Sequence, residues 1–542
     1  MSPIDLATLP SAPTTILAAL ARHVAERPDV DFVVCDDERL TYATADAASR
    51  ALARGLIGAG VGRGERVGIL FPTCTDFVVT WLAVTRIGAV AVPISTFSTA
   101  DELGQLVRGA RVGTIVAVAG YRGNDYVAGF TRALPGLDLT SRNPVAVADA
   151  PFLRRVVVWG GADGVDAAHT DAALRAAGER VPERFVDLVG ADVGPDDPMV
   201  IVHTSGSTSA PKGVVHTHGG LLAHLAVLNA ARGLTPGRRL FSNSPFFWIG
   251  GMGYLLVGTL EAGSTLICSR AEDPATTLDL LERERPDLVN GFAQTVATLA
   301  AHPSFPARDL SSIVAGNLYP IMPAALRPAD PELRHNMLGM TELGSVGLMD
   351  PDESDQPEHR RGSFGRPVAD LEARIVDPES GDDVAVGASG ELWLRGPNLM
   401  DGYDGRERHT VFTAGGWFRT GDVFRADAEG YCYFEGRRGD MIKTAGANVS
   451  PREVEGVLRD VVGCEQVIVL GLPDPDRGQV VAAVLVEPPT GAPDDDALRV
   501  ALRDRLSAFK VPRRFLRLGR ADLPVLSSGK PDLTAVRERF DA

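Results

Sequence analysis

Short apolar runs alternate with helical patterns along much of the chain, and this alternation limits the possible folds more than any other feature. The run RVGILF at Arg66–Phe71 is typical of a buried strand. The segment TDFVVTWLAVTRIGA that follows has apolar residues at helical spacing, and the next run, VAVPIS, again indicates a strand. The same order recurs around GTIVAVA, RRVVVWG, PMVIVHTS and STLICS. Repeated strand–helix–strand order predicts a parallel α/β architecture.

The later part of the chain has a different pattern. From about Gly362, alternating segments are separated by turns rich in Gly, Pro and Asp, which predicts an antiparallel β subdomain. Further on, Ser450 as N-cap, Pro451 as first helical residue and Glu453 in the first turn predict the start of a helix. A chain of 542 residues is too long for one core. We therefore expect a large N-terminal domain at 1–435, a hinge at 436–440 and a small C-terminal domain at 441–542.

Charge and cysteine usage exclude several classes of protein. A net charge of −16 and a pI near 5.2 argue against nucleic acid or an anionic membrane surface as partner, since both require basic patches. The five cysteines are scattered, without a CxxC or Cys/His cluster, so neither a disulfide framework nor a zinc site is indicated. The N-terminal MSPIDLATLPSAPTT lacks the pattern of a signal peptide, and no apolar run is long enough to span a membrane. We expect a cytoplasmic protein.

The segment HTSGSTSAPKG, from His203 to Gly213, has the composition of a phosphate-binding loop. Glycines and small hydroxyl residues let N–H and O–H groups converge on an anion, and Lys212 adds a positive charge. The chain holds only four lysines against fifty arginines, so a lysine at this place indicates that a compact ammonium group matters there. The Walker pattern G-x-x-x-x-G-K-[ST] does not occur. The alternative is an ordinary polar loop after a strand.

Three more stretches carry side chains suited to nucleotide chemistry. Thr341-Glu342 in NMLGMTELGS would hold Mg²⁺ beside a phosphate site. Asp422 in GGWFRTGD would accept hydrogen bonds from ribose hydroxyls, and Arg437 would donate. Lys530 in LPVLSSGKPD follows a small-residue turn near the C-terminus and would neutralise charge. Taken singly, each is more simply a loop residue, a solvated turn or an idle surface cation.

In this order, the motifs TSGSTSAPKG, GMTE, WFRTGD, GRRGDMIKTAGANVSPREVE and SGK resemble those of the adenylate-forming superfamily. That superfamily comprises acyl- and aryl-CoA synthetases, luciferase-like ligases and peptide-synthetase adenylation domains. The resemblance spans essentially the whole chain. It implies a large N-terminal domain of two α/β subdomains and a β subdomain, with a mobile α+β lid. It also implies two half-reactions: a carboxylate and Mg·ATP give an acyl-adenylate and pyrophosphate, and a thiol, usually that of CoA, then displaces AMP.

The resemblance also assigns roles to individual residues. Catalysis would rest on Lys530, which bridges carboxylate and α-phosphate, on Thr204, and on Glu342, which holds the metal ion. The nucleotide and cofactor would be bound by Thr204, Ser205, Gly206, Ser207, Thr208, Lys212, Gly316, Asn317, Leu338, Gly339, Met340, Thr341, Asp422, Arg437 and Lys443. Within this set, Gly316, Asn317 and the Leu338–Thr341 segment would form the adenine slot, while Lys443 and Gly446 lie on the lid loop that faces the site during thiol transfer.

The chain departs from the family pattern at four positions. Ser209 replaces a glycine of the phosphate loop, Leu338 replaces an aromatic residue that stacks on adenine, and Gly439 falls at the hinge. In SPFFWIGG, Trp248 takes the place of a histidine between the acyl pocket and the thiol channel; it would shorten the pocket, stack on a ring, gate the channel or simply pack. The acid pocket is expected to include Trp248, Gly250, Gly251, Gly316 and Gly339.

The leading hypothesis is a carboxylate–CoA ligase for an apolar or aromatic acid. No aspartate lies in SPFFWIGG to anchor an α-amino group, and no carrier-protein domain follows, which favours a freestanding ligase. A second hypothesis is transfer of the acyl-adenylate to a carrier-protein thiol or a nitrogen nucleophile. A third is a nucleotide-binding homologue without activity. The expected partners are a small carboxylic acid and CoA or a carrier protein, and the protein would be a monomer or a homodimer.

Overall fold

The computed structural model of the protein describes residues 15–204, 212–438, 442–444, 447–449, 451–475, 477–488, 492–503, 505–506, 510–526 and 529–540. The chain forms two compact units. The first extends to Arg361 and also takes in Gly365–Glu372 and Arg395–Ala414. The second consists of Gly362–Phe364, Ala373–Leu394 and the chain from Gly415 onward.

The helices and strands are numbered here in chain order. The described helices α1 to α14 are Ile16–Glu26, Tyr42–Gly58, Thr75–Arg86, Ala100–Gly109, Tyr126–Ala133, Asp171–Gly178, Glu183–Ala191, His218–Arg232, Gly258–Ala262, Pro274–Glu284, Ala297–Ala300, Pro451–Val462, Asp495–Arg503 and Leu533–Glu538. The described strands β1 to β27 are Asp31–Cys35, Glu38–Thr41, Arg66–Leu70, Val90–Pro93, Thr114–Val118, Gly120–Tyr121, Asn124–Asp125, Arg155–Trp159, Pro198–Thr204, Lys212–Thr217, Arg239–Ser242, Thr265–Cys268, Leu288–Asn290, Ala315–Gly316, Leu338–Met340, Ser345–Met349, Arg366–Pro367, Glu372–Val376, Gly390–Arg395, Gly402–Tyr403, Phe418–Ala426, Cys432–Arg437, Ile442–Thr444, Ala447–Val449, Gln466–Asp474, Gly478–Val486 and Arg514–Leu518.

Two large sheets dominate the first unit. One has the strand order β14-β13-β11-β12-β1-β2 and is parallel apart from the edge strand β2. The other has the order β20-β10-β9-β4-β3-β5-β8, with parallel pairing from β9 to β8 and antiparallel pairing at β10 and β20. Parallel strands are buried on both faces, which explains why RVGILF and VAVPIS are continuous apolar runs. The predicted parallel α/β architecture is confirmed.

Helix α3 shows how composition decides burial in this unit. Its sequence TDFVVTWLAVTR has no polar face, and every residue except Asp76 is buried. A helix that is apolar all round belongs in a core, and α3 packs on α2 and on β3 and β4. Helix α2 begins with a capping box, in which Thr41 and Thr44 each accept a hydrogen bond from the other's backbone N–H.

The later part of the chain is antiparallel or mixed, as the sequence predicts. The sheet β15-β16-β17 belongs to the first unit, and the sheet β18-β19-β21-β22 mainly to the second. The second unit also contains the sheet β24-β23-β26-β25, with β27 pairing to β26. Helices α12 and α13 share one hydrophobic cluster with this sheet, and α14 shares another, so opposite faces of the strands are buried on both sides.

The predicted helix after residue 450 is confirmed as α12, which begins at Pro451 with Glu453 in its first turn. Its expected N-cap, Ser450, lies outside the described residues. The hinge at 436–440 stays a prediction, because 439 and 440 also lie outside them. Within the described parts of the chain, no helix combines the length and the apolar character needed to cross a bilayer.

All five cysteines are free and buried. Burial raises the pKa of the Cys74 thiol to about 12 and that of Cys432 to about 11, so these two thiols stay protonated at neutral pH.

Candidate active site

The ends of the predicted phosphate loop are fixed by a β-hairpin. Strand β9 is apolar and almost wholly buried, and it pairs antiparallel with β10 so that Thr204 lies opposite Lys212. Two predicted site residues therefore face each other across one ladder. Ser205, Gly206, Ser207, Thr208 and the variant position Ser209 lie outside the described residues, so their phosphate-binding roles stay predictions.

Tyr403 connects Lys212 with Glu342. Strand β20 pairs with β10, which places Tyr403 opposite Val214. The Lys212 ammonium lies 5.2 Å from the centroid of the Tyr403 ring, within the range of a cation–π interaction. The Tyr403 hydroxyl donates a hydrogen bond of 2.7 Å to Glu342 Oε1. The structure thus brings together two predicted residues through a third that the sequence analysis missed.

The segment that carries Glu342 is held by its backbone. Thr341–Leu343 forms a 3₁₀ turn after β15, and Gly344 ends it with φ of 72°. His216 Nε2–H donates to the Thr341 carbonyl at 2.7 Å, and the Met400 N–H donates to the Glu342 carbonyl at 3.0 Å. Burial lowers the pKa of His216 to about 4, so its ring is neutral and keeps a single N–H for this bond.

One carboxylate is a reasonable protein contribution to a Mg²⁺ site. Mg²⁺ bound with nucleotides usually takes one or two carboxylates and completes its shell with phosphate oxygens and water. Glu342 can offer Oε2 to a metal ion while Oε1 accepts from Tyr403. Among the described residues, no group of three or more His, Cys, Asp or Glu side chains is placed to hold a metal ion by itself. The donor set therefore fits a metal ion that arrives with the triphosphate.

The predicted adenine slot involves residues of two different sheets. Gly316 ends β14 with φ of 129°, and a Cβ there would lie 1.9 Å from the Val289 carbonyl oxygen, so only glycine fits. Asn317 exchanges hydrogen bonds of 2.9 and 3.0 Å with the backbone of Gly291. Leu338, Gly339 and Met340 form β15 of the three-stranded sheet. Their joint contact with adenine stays a prediction.

Trp248 lies in an aromatic cluster. Its ring centroid is 6.0 Å from that of Phe97, 5.5 Å from Phe247 and 5.6 Å from Phe292. These four rings line a cavity of about 490 Å³, whose lining also includes Arg122, Arg270 and Glu272. Such a wall suits an apolar or aromatic ligand.

The described residues that line this cavity do not include the glycines expected in the acid pocket. Gly250 and Gly251 begin the π-helical segment Gly250–Val257 directly after Trp248. A Cβ on Gly251 would lie 2.0 Å from the Pro245 carbonyl oxygen, which explains that glycine by packing. Gly316 and Gly339 lie in β14 and β15.

In the second unit, Asp422 and Arg437 form the pair that the sequence suggested. They face each other across β21 and β22, and Arg437 Nε donates to Asp422 Oδ1 at 2.7 Å. The Asp422 side chain is 5% exposed, whereas that of Arg437 is 61% exposed. The arginine can therefore reach a ligand while it orients the buried carboxylate.

The two remaining lysines of interest lie in separate parts of the second unit. Lys530 is exposed, in a turn where its carbonyl accepts from the Leu526 N–H at 2.8 Å and Gly529 has φ of 76°. Lys443 lies in β23, opposite Asn448 in β24. Gly446 lies outside the described residues. The roles assigned to both lysines stay predictions.

Comparison with known proteins gives a consistent picture. Residues 20–404 match the family model of the AMP-binding enzyme, and 453–530 match that of the AMP-binding enzyme C-terminal domain. A feruloyl-CoA synthase from Amycolatopsis sp is 33% identical over 513 residues, 92% of this chain and 94% of the relative. A 3-[(3aS,4S,7aS)-7a-methyl-1,5-dioxo-octahydro-1H-inden-4-yl]propanoyl:CoA ligase from Mycobacterium tuberculosis is 32% identical over 97% of this chain and 98% of the relative.

Solved structures agree with the fold. The amide bond synthetase McbA from Marinactinospora thermotolerans superposes with a TM-score of 0.75 and 27% identity, covering 96% of this chain and 99% of that one. The anthranilate CoA ligase AuaEII superposes with a TM-score of 0.79 at 23% identity, covering 99% of both chains.

Proposed function

The chain belongs to the family of AMP-binding enzymes, and from this membership we propose that it is an ATP-dependent carboxylate–CoA ligase. It converts a carboxylic acid to an acyl-adenylate and then to a thioester of CoA. The observation that carries the proposal is that Tyr403 contacts both Lys212, whose ammonium lies over its ring, and Glu342, which accepts a hydrogen bond from its hydroxyl. A cation and a metal-binding carboxylate are thereby held beside the place where the triphosphate is expected.

In the first step, a carboxylate oxygen of the acid attacks the α-phosphorus, and the bond to the β-phosphate oxygen breaks to release pyrophosphate. Both reactants are anions, so their approach requires positive charge. Lys212 and Thr204 bind the β- and γ-phosphates, and Lys530 bridges the carboxylate and the α-phosphate. Glu342 would hold Mg²⁺, which would neutralise phosphate charge when bound. Asp422 and Arg437 hold the ribose.

In the second step, the thiol sulfur of CoA attacks the acyl carbon, the bond to the phosphate oxygen of AMP breaks, and the thiol proton is lost. During this step the C-terminal domain presents strand β23, which bears Lys443, to the active site. The acid is aromatic or otherwise apolar, because Phe97, Phe247, Trp248 and Phe292 wall the cavity described above. The relatives named for feruloyl and fused-ring acids support this class.

A nitrogen acceptor is the second candidate. It is favoured by the 27% identity to an amide bond synthetase and by Trp248 at the position between acid pocket and thiol channel. A carrier-protein thiol is a third acceptor. A homologue without catalysis is the remaining alternative, and the presence of Lys530, Glu342 and Asp422 speaks against it. The enzyme acts as a monomer or a homodimer.

The test is carboxylate-dependent pyrophosphate release over a panel of aromatic and aliphatic acids, with and without CoA. We expect release with aromatic acids and thioester formation when CoA is present. Adenylate that accumulates while CoA is ignored, but is consumed by an amine or a carrier protein, would favour the second or third acceptor. No release with any acid would refute the proposal.

The Lys530→Ala variant separates binding from chemistry. It is expected to lose adenylation by about a hundredfold or more while it binds ATP nearly as well as the wild type. The matched control is Lys510→Ala, because Lys510 pairs with both oxygens of Glu453 at 2.6 and 2.8 Å and has no assigned role in the reaction. Adenylation by Lys530→Ala at the rate of the control would contradict the role assigned to Lys530.

A further inference from the structure

A second cavity, of about 460 Å³, lies in the first unit at the ends of strands β9 and β10, which flank the phosphate loop. Its walls include Arg108, His203, Lys212, Tyr403, Asp404 and Arg406. The described residues that line this second cavity include none of the four aromatic residues Phe97, Phe247, Trp248 and Phe292. Among its described lining residues, Lys212 and Tyr403 also belong to the proposed active site.

Two cations of this cavity share one aromatic ring. The Lys212 ammonium is 5.2 Å and the Arg406 guanidinium 5.6 Å from the centroid of Tyr403. In the part of the chain that the structure describes, neither makes a salt bridge to a carboxylate. A cation–π contact at an exposed site offsets little of the repulsion between two like charges. The pair of cations therefore favours an anionic ligand.

The one carboxylate in the cavity wall is already neutralised. Asp404 accepts a bidentate pair of hydrogen bonds from Arg66, at 2.8 and 2.7 Å, and a third from Arg111 at 3.3 Å. Arg108 at the rim pairs with Asp149 at 3.1 Å. The described lining residues include three cations, Arg108, Lys212 and Arg406, and one carboxylate, Asp404, so the cavity wall is positive in a chain of net charge −16.

His203 adds a neutral hydrogen-bonding group. Burial lowers its pKa to about 4, so the ring carries no charge at neutral pH. Its Nδ1 is buried and has no hydrogen-bond partner among the described residues. The ring therefore leaves an unsatisfied polar atom beside the cavity, where buried polar atoms normally have a hydrogen-bond partner.

We propose that this cavity binds inorganic diphosphate and is the place to which pyrophosphate moves after it separates from the α-phosphate. The inference rests on the proposed function, because the diphosphate is the product of the adenylation step. Lys212 and His203 lie on the two strands that lead into and out of the phosphate loop, so the cavity adjoins the place where the β- and γ-phosphates are expected. Since a water molecule occupies about 30 Å³, the cavity has room for a diphosphate with several waters.

Calorimetric titration of pyrophosphate into the full chain without ATP tests the site. We expect Arg406→Ala to weaken pyrophosphate binding about fivefold, since Arg406 is exposed and its interaction is partly screened. Arg406→Lys should restore most of the affinity, and the exposed Arg184→Ala, on α7, serves as matched control. In turnover, Arg406→Ala should raise the inhibition constant of pyrophosphate while the KM for ATP stays within twofold.

Three results would overturn the inference. One is equal pyrophosphate affinity in Arg406→Ala and Arg184→Ala. Another is orthophosphate or sulfate binding as tightly as pyrophosphate, which would indicate an unspecific anion. The third is displacement of pyrophosphate by CoA or adenosine 3′,5′-diphosphate, together with a higher KM for CoA in Arg406→Ala. These two results would assign the cavity to the phosphate groups of CoA. A pyrophosphate site that depends on Arg406, in a protein that adenylates no acid, would support the site and refute the proposed function.

Discussion

Three buried histidines should make the first unit less stable as the pH falls from 7.5 to 5.5. His23, His216 and His218 are 2%, 1% and 0% exposed. In each, burial is the main reason that the pKa falls from 6.5 to about 4; for His23, the charges of Arg22 and Arg27 add to it. All three rings are neutral in the folded protein over this pH range.

The direction follows from proton binding. Between pH 6.5 and 4 the unfolded chain binds a proton at each of these rings and the folded chain does not, so acidification favours unfolding. Each ring then costs about 1.4 kcal/mol between pH 7.5 and 5.5, the free energy of one pKa unit. Three rings sum to about 4 kcal/mol, a large share of a typical folding free energy of about 5–15 kcal/mol, and His203, whose pKa burial also lowers to about 4, adds to this loss. Glu261 and Glu353, whose pKa values burial raises, offset part of this loss because they bind protons in the folded state.

The variant His218→Gln isolates one ring from these opposing groups. The Ile16 N–H donates to His218 Nδ1 at 3.3 Å, and the glutamine amide oxygen offers a similar acceptor that does not titrate. Urea unfolding of the first unit at pH 7.5 and 5.5, followed by tryptophan fluorescence, should show a loss about 1.4 kcal/mol smaller in the variant than in the wild type. The exposed His359→Gln is the control. If the wild type and His218→Gln lost the same free energy of unfolding between the two pH values, the reasoning would be refuted.

Tyr403→Phe removes the hydroxyl that orients Glu342 but keeps the ring, so the Mg²⁺ concentration for half-maximal adenylation should rise about tenfold; an unchanged Mg²⁺ titration would contradict the role of Tyr403. Arg437→Ala removes the ion pair of the buried Asp422. It should raise the KM for ATP severalfold, measured by kinetics, and destabilise the second unit by about 1–3 kcal/mol, measured by thermal melting. Equal values in variant and wild type would contradict the assignment of both residues to the ribose site. Trp248→Ala enlarges the aromatic cavity and should shift kcat/KM about tenfold toward bulkier acids; an unaltered ranking of a panel of acids would place Trp248 outside the pocket.

Much of the fold could be predicted because burial leaves a local trace in the sequence. The run at 66–71 becomes β3, Arg66–Leu70, and the helical pattern after it becomes α3. Strand order leaves no such trace. Val34 of β1 pairs with Ile267 of β12, a partner more than two hundred residues away, and apolar periodicity cannot specify which of several similar strands lies beside another.

The candidate site divides in the same way. Lys212, Glu342 and the pair of Asp422 and Arg437 were found because their side chains occur in short motifs with recognisable chemistry. Tyr403 was missed because it lies alone in a turn of Gly and Asp residues, and its importance arises only from the pairing of the two-residue strand β20 with β10. The cluster around Trp248 was anticipated only as one indole, since Phe97 and Phe292 reach it from distant segments.

The burial of every native cysteine has a practical consequence for following the two half-reactions. Maleimide reagents need an accessible thiolate, and buried thiols react slowly. A cysteine introduced at an exposed position in each compact unit would therefore take up a dye without prior removal of the native residues. A donor and an acceptor attached in this way would report, one molecule at a time, how the separation of the units varies during turnover.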